Sequence, residues 1–89
     1  MPIDQKLLEQ ALNNPANVWF EDALKLAEQM GWREVGGSGS HRVFRHPKAT
    51  LVKQQFPRPL NLQRGRGGKA KAYQVRQLLE MAREMGIMK

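Results

Sequence analysis

The sequence predicts an α+β fold in which a three-stranded antiparallel sheet carries two helices packed on one face, plus an extra N-terminal helix. Two segments have apolar residues spaced three and four apart, as in amphipathic helices. Between them lie short segments bounded by glycine and proline, as in strands joined by turns. Strands joined by short turns run antiparallel, and helices before and after them cover one face of the sheet. A chain of 89 residues has room for one such core.

The first predicted helix covers residues 2–12, where leucine and alanine recur at helical spacing. Pro15 ends this segment, because proline disfavours helical geometry in the residue before it. We expect an accessory helix within residues 1–16, and a principal domain that covers residues 17–89.

The two core helices are predicted at residues 20–30 and 73–85. Asn17 is a candidate N-cap of the first, since asparagine side chains accept hydrogen bonds from free backbone N–H groups. Gly31 is placed to end the first in the left-handed conformation, and Gly86 terminates the second.

Three strands are predicted between these helices. The first begins at residues 32–35, residues 36–39 form a glycine-rich turn, and residues 40–46 form the second strand. Residues 60–63 alternate apolar and polar side chains and form the third. The segment 50–56 is compatible with a strand or with a loop.

Alternation along the second strand separates its side chains into two faces. Arg42, Phe44 and His46 share one face, and Phe44 is expected to point at the helices. His41 and Arg45 then lie on the open face. We expect His46, next to a proline, to be a strand-end residue.

The chain has a net charge of +7, and its positive charge is concentrated in one part of the sequence. Residues 1–31 contain two Lys or Arg and five Asp or Glu, whereas residues 32–89 contain thirteen and three. Such a concentration on a small domain predicts contact with a phosphate backbone or an acidic protein.

Other classes of protein are disfavoured by the composition. Cysteine is absent, which excludes disulfides and cysteine metal sites and is typical of a reducing cytoplasm. Two histidines make a poor zinc site, so we expect no metal and no other cofactor. No apolar run is long enough for a bilayer, and the N-terminus does not read as a signal peptide, so we expect a cytoplasmic protein without a membrane partner.

The residues around His41 are suited to RNA cleavage. RNA carries its own nucleophile, the 2′-hydroxyl, so a catalyst needs a base, an acid and cations that stabilise the charged phosphorus centre. His41 is the candidate proton-transfer residue. A non-catalytic RNA-binding module or a protein-interaction module would use the same cations, and both alternatives stay open. The candidate RNA-binding residues are Ser40, Arg42, Arg45, Lys69 and Lys71.

Several of these residues belong to runs that resemble a known family, the HicA-type mRNA interferase toxins of bacterial toxin–antitoxin systems. The resemblance covers about residues 17–86. It is carried by Phe20-Glu21-Asp22, Gly31-Trp32, Gly39-Ser40-His41, Phe44-Arg45-His46-Pro47, Leu60-Asn61-Leu62-Gln63, Gly67-Gly68-Lys69-Ala70-Lys71 and Tyr73-Gln74-Val75-Arg76.

The resemblance implies a fold like that of the double-stranded RNA-binding domain and an enzyme that cleaves mRNA without the ribosome. It implies that His41, the histidine after Gly-Ser, is catalytic, and that a cognate HicB-type antitoxin covers the active face. The chain departs from the family at Arg42, where many members have a second histidine, and in the longer segment 48–59. If a second proton-transfer group is needed, His46 or the RNA itself must supply it.

Overall fold

A computed structural model of the chain describes residues 2–47 and 59–87. The sheet has the order β1-β2-β3 with both pairs antiparallel, which confirms the predicted α+β class. The predicted segment 50–56 lies outside the described residues. The elements are α1 (Gln5–Asn13), α2 (Phe20–Gln29), β1 (Arg33–Ser38), β2 (His41–Arg45), β3 (Leu60–Gln63) and α3 (Ala72–Glu84).

The core lies between one face of the sheet and the helices. Phe44 on β2 and Leu60 and Leu62 on β3 are fully buried, as the alternation of these strands predicted. They pack with apolar side chains of α2 and α3, among them Leu26 and Leu78. Each buried side chain of this size stabilises the fold by about 1.5–3 kcal/mol relative to exposure. Among the described residues, no helix covers the opposite face of the sheet.

Helix α1 shares this core. Leu7, Leu8 and Ala11 are buried in the same apolar cluster. Asp4 caps the helix through Oδ1, which accepts from the backbone N–H of Leu7 at 3.1 Å, and its own N–H donates to Gln29 Oε1 at 2.8 Å. The N-terminal helix is therefore fixed to α2, and the division of the chain after residue 16 stays a prediction.

The prediction of Asn17 as the cap of α2 is wrong, whereas the prediction of a left-handed Gly31 after α2 is confirmed. Asn17 lies in a 3₁₀ turn, Pro15–Asn17, and the cap position falls to Trp19, whose side chain makes no capping bond. Gly31 and Gly86 have φ of 98° and 73°, the left-handed region in which glycine is favoured.

The predicted turn at residues 36–39 is also misplaced. Gly36 and Gly37 belong to β1, and the turn consists of Gly39 and Ser40, because Ser38 pairs directly with His41. Gly37 has φ of 94°, and a Cβ there would overlap the carbonyl oxygen of His41. Glycine thus lets β1 approach β2 closely and continue three residues further than a turn-forming run suggests.

Candidate nucleic-acid interface

The open face of the sheet carries His41 in a polar environment. Residues opposite each other in antiparallel strands share a face, and His41 is paired with Gln63. Val43 is paired with Asn61, so Asn61 lies diagonal to His41. His41 Nε2 is 3.3 Å from Asn61 Oδ1, and the histidine side chain is exposed. The prediction that His41 lies on the open face is confirmed.

The contact with Asn61 selects one form of the His41 ring. An amide oxygen can only accept, so the ring nitrogen Nε2 carries the proton. In the neutral ring the other nitrogen, Nδ1, then holds the lone pair. His41 therefore presents Nδ1 as the atom that can take up a proton.

Two arginines oppose each other on the same face. Arg45, a predicted site residue, is paired with Arg33 across β1 and β2, and both are exposed. Like charges directly opposite in a sheet destabilise it. Neither arginine has an ion pair within the described residues. Repulsion between the two arginines thus lowers the stability of the fold, and a bound anion would reduce this repulsion.

Arg42, another predicted site residue, is not brought to the face that carries His41. It alternates with His41 and is paired with Leu62, which faces the helices. Its guanidinium Nη1 donates to both carboxylate oxygens of Glu34, at 3.0 and 3.1 Å, and its Nε to the carbonyl of Gly39 at 3.3 Å. Arg42 therefore supports the β1–β2 hairpin, and Glu34 offsets its charge.

The turn that precedes His41 contacts the end of β3. Ser40 is exposed, and its carbonyl oxygen accepts from the backbone N–H of Arg64 at 2.8 Å. This bond places the predicted site residue Ser40 between His41 and the basic segment that follows β3.

The segment between β3 and α3 is folded back on itself. The Gly65 N–H donates to the Lys69 carbonyl at 2.7 Å, and the Lys71 N–H donates to the Gln63 carbonyl at 3.2 Å. These bonds close a hairpin around a 3₁₀ turn, Arg66–Gly68. Backbone pairing therefore fixes where its lysines lie.

An open cavity of about 730 Å³ lies along this hairpin. We call it the basic groove. Because Gln63 is paired with His41, one end of the groove lies next to the open face of the sheet. Its side chains include those of Gln63, Arg64, Arg66, Lys69 and Lys71.

The cations of the basic groove are not equally free. Arg64 is paired with Glu21 at 2.5 Å, and its guanidinium lies 5.0 Å from the centre of the Phe20 ring. Within the part of the chain that the structure describes, Arg66 and Lys71 have no acidic partner. Lys71 also immediately precedes α3, whose first turn contains no acidic residue. Phosphate would be favoured most at this end of the groove.

The second histidine is separated from the first. His46 is only 9% exposed, and its Nε2–H donates to the Met30 carbonyl at 2.8 Å. Its ring meets the buried Trp32 ring edge-on, with centroids 5.2 Å apart. Of the two sources of a second proton-transfer group considered above, His46 is therefore not available to a substrate on the open face.

Three residues of this surface were missed by the sequence reasoning. Asn61 and Gln63 alternate with buried leucines, so the pattern of β3 already placed them opposite the helices. Arg33 carried no such signal, because its pairing with Arg45 depends on a register shift between Glu34 and Gly36. Within residues 2–47 and 59–87, no three His, Asp or Glu side chains come together as a metal site requires.

The family comparison bears directly on this surface. Residues 20–60 match the sequence model of a family described as the HicA toxin of bacterial toxin–antitoxin systems. This stretch is similar to the HicA toxin family. The match runs from the start of α2 to the start of β3 and includes His41, whereas α1 and α3 lie outside it. No curated protein and no solved structure has a significant match to the chain.

The HicA match supports the resemblance read from the sequence, which is to toxins of toxin–antitoxin systems. The order helix–strand–strand–strand–helix from α2 to α3 is the one that the resemblance implied. The likeness to a double-stranded RNA-binding domain stays a prediction. No helix within residues 2–47 and 59–87 combines the length and apolarity needed to span a bilayer.

Proposed function

We propose that this chain is a HicA-type toxin, a metal-independent endoribonuclease that cleaves mRNA on the open face of its sheet, with His41 as the proton-transfer residue. The observation that carries the proposal is the exposed His41, held at Nε2 by Asn61 and lying on the same face as Arg33 and Arg45, which have no ion pair within residues 2–47 and 59–87. A HicB-type antitoxin would neutralise the toxin by covering this face.

The proposed reaction is a transesterification. His41 Nδ1 accepts the proton of a 2′-hydroxyl as that oxygen bonds to the adjacent phosphorus, and the bond from phosphorus to the 5′-oxygen breaks. The leaving oxygen takes a proton from water, which gives a 2′,3′-cyclic phosphate and a 5′-hydroxyl. Arg33 and Arg45 stabilise the extra negative charge that develops on the phosphate oxygens.

The remaining predicted residues have separate roles in this proposal. Lys71, in the basic groove, binds a phosphate that flanks the cleaved one. Ser40 lies in the turn between the groove and His41 and contacts the same strand of RNA. Lys69 lines the groove with its stem, while its ammonium is engaged elsewhere. Arg42 acts on RNA binding only through the hairpin that it stabilises.

The experiment that tests the reaction class uses two versions of one RNA with a mapped cleavage position. One version has ribose throughout, and the other has a single 2′-deoxyribose on the 5′ side of the cut. The first should be cleaved equally with and without a chelator and should yield the cyclic phosphate. The second should resist cleavage at that position only, because it lacks the nucleophile.

Cleavage of the deoxy position, or loss of cleavage with chelator, would exclude the proposed reaction. Salt-sensitive binding without shortening of the RNA would instead identify a non-catalytic RNA-binding module. Absence of both binding and cleavage, with tight binding to the product of the neighbouring gene, would identify a protein-interaction module. If the neighbouring product is the antitoxin, adding it in equimolar amount should stop cleavage.

A further inference from the structure

A second cavity, of about 300 Å³, lies between α1 and the start of α2 and is separate from the face that carries His41. We call it the amide pocket. Its volume is at the lower end of the range for small-molecule sites, so it can hold part of a nucleotide but not a length of strand. Its polar and aromatic lining includes Gln10, Asn13, Asn17, Trp19, Asp22 and Lys69.

The aromatic wall of the amide pocket is the side chain of Trp19, which is unusually exposed for a tryptophan. Trp19 is 51% exposed, although its indole is the largest side chain available for the core. Lys69 Nζ lies 4.0 Å from the centre of the Trp19 ring and donates to Asn17 Oδ1 at 2.5 Å. The cation and the backbone bridge between Trp19 and Lys69 hold the ring in place. A fixed, half-exposed indole is a surface on which a base can stack.

The polar lining favours a base over a phosphate. Lys69 is already engaged by Asn17, and the carboxylate of Asp22 would repel an anion. The side chains of Gln10 and Asn13 make no hydrogen bond within the described residues, and Asp22 has no ion pair there. The amides of Gln10 and Asn13 can donate and accept hydrogen bonds, whereas the carboxylate of Asp22 can only accept them. Such a lining suits the edge of a base that presents N–H groups.

Guanine fits this arrangement better than the other bases. Its Watson–Crick edge presents N1–H and the N2 amino group side by side, and a carboxylate can accept from both at once. Adenine and cytosine present a single amino group next to an acceptor nitrogen, which would face the carboxylate of Asp22 unfavourably. The amide pocket thus has the chemistry to select guanine.

The amide pocket is continuous with the proposed path of the RNA. Lys69 lines both the amide pocket and the basic groove, and Gln63 at the other end of the groove is paired with His41. A strand cleaved at His41 can therefore follow the groove and place one unstacked base against Trp19.

We propose that the amide pocket binds a single guanine of the RNA, stacked on Trp19 and hydrogen-bonded to Asp22. This inference rests on the proposed function. Gln10 and Asn13 come from α1, which lies outside the family match. The N-terminal helix thereby acquires a function: it completes a base-specific subsite next to the toxin domain.

The test measures binding of uncleavable RNA, so that it does not depend on catalysis. Two 2′-O-methyl decamers of uridine, one with a single central guanine and one with a single central adenine, are titrated by fluorescence anisotropy at one fixed salt concentration. The wild type should bind the guanine decamer about 5- to 150-fold more tightly, the range for a bidentate base contact. Asp22→Asn should remove this preference.

Variants of the aromatic wall separate stacking from general damage to the start of α2, where Trp19 lies. Trp19→Ala should weaken binding of the guanine decamer about 5- to 150-fold, and Trp19→Phe should retain most of it, because phenylalanine still stacks. Leu12→Ala is the control for α1, the helix that supplies Gln10 and Asn13: Leu12 is 40% exposed but lines a different cavity, and its variant should bind like the wild type.

The inference fails if the wild type binds both decamers equally, or if Trp19→Ala binds the guanine decamer as well as the wild type does. Competition by inorganic phosphate at the pocket, with no base preference, would identify an anion site and would also overturn it. Cleavage of unmodified RNA by the same variants is measured in parallel. Cleavage without base preference would contradict the guanine site but not the proposed function. Absence of cleavage by the wild type would contradict the proposed function.

Discussion

The anchoring of His46 against Gly31 gives a prediction whose magnitude can be worked from the structure. A Cβ added to Gly31 would lie 2.7 Å from His46 Nε2, the atom that donates to the Met30 carbonyl. Gly31 also has φ of 98°, where an alanine is strained by about 1–2 kcal/mol. Displacing His46 would break a buried hydrogen bond, at a further cost of about 1–3 kcal/mol. Gly31→Ala should therefore lower the free energy of unfolding by roughly 2–5 kcal/mol.

The control for this prediction is Gly67→Ala. Gly67 has φ of 68°, but nothing lies within 4 Å of its added Cβ, so this variant carries the backbone strain without the collision. Both substitutions restrict the unfolded chain equally, and that contribution cancels in the difference. Urea unfolding followed by circular dichroism should show that Gly31→Ala loses about 1–3 kcal/mol more than Gly67→Ala.

Equal losses for the two variants would refute the reasoning, because the His46 contact would then contribute nothing. A double-mutant cycle adds a second check. In a His46→Ala background the collision is absent, so Gly31→Ala should there cost only the backbone strain. The outcome matters for function because His46 fixes the end of β2, the strand that carries His41.

Three further predictions follow from the open face and from α1. Arg33→Ala should raise the free energy of unfolding by about 0.2–1 kcal/mol, because the like-charge pair with Arg45 is removed. The same variant should bind RNA more weakly, and the slope of log affinity against log salt concentration should fall by about 0.7. An unchanged slope would contradict a phosphate contact. Asn61→Ala should lower the cleavage rate about 2- to 12-fold at saturating RNA, the value of one hydrogen bond, with KM unchanged; a changed KM alone would instead indicate that Asn61 binds RNA without positioning His41. Leu8→Ala should lower the free energy of unfolding by about 2–5 kcal/mol in a single transition; a loss below 1 kcal/mol would show that α1 is not part of the cooperative core.

Much of the fold could be predicted because periodicity alone decides it. The alternation on β2 placed Phe44 against the helices and His41 on the open face, and both placements are confirmed. The left-handed end at Gly31 followed from an apolar helix stripe that stops one residue earlier. These features depend on residues close in sequence, which is why one sequence sufficed.

The features that could not be predicted depend on contacts distant in sequence. A run rich in glycine permits several turns, and only pairing with β2 selects Gly39 and Ser40 as the turn. Asn17 resembles a helix cap locally, but its acceptor oxygen is taken by Lys69, 52 residues away. Arg42 resembles a phosphate ligand beside His41 until its contact with Glu34 is known.

The central claim is that His41 transfers the proton in RNA cleavage, and the most direct test is the single-turnover cleavage rate of His41→Ala. Ser38→Ala is the matched control, because Ser38 is the cross-strand partner of His41 and equally exposed to the open face. We expect His41→Ala to fold normally and cleave about 10²- to 10⁴-fold more slowly, the usual contribution of a proton-transfer residue, while Ser38→Ala stays close to the wild type. A folded His41→Ala variant that cleaves RNA at the wild-type rate would contradict the account.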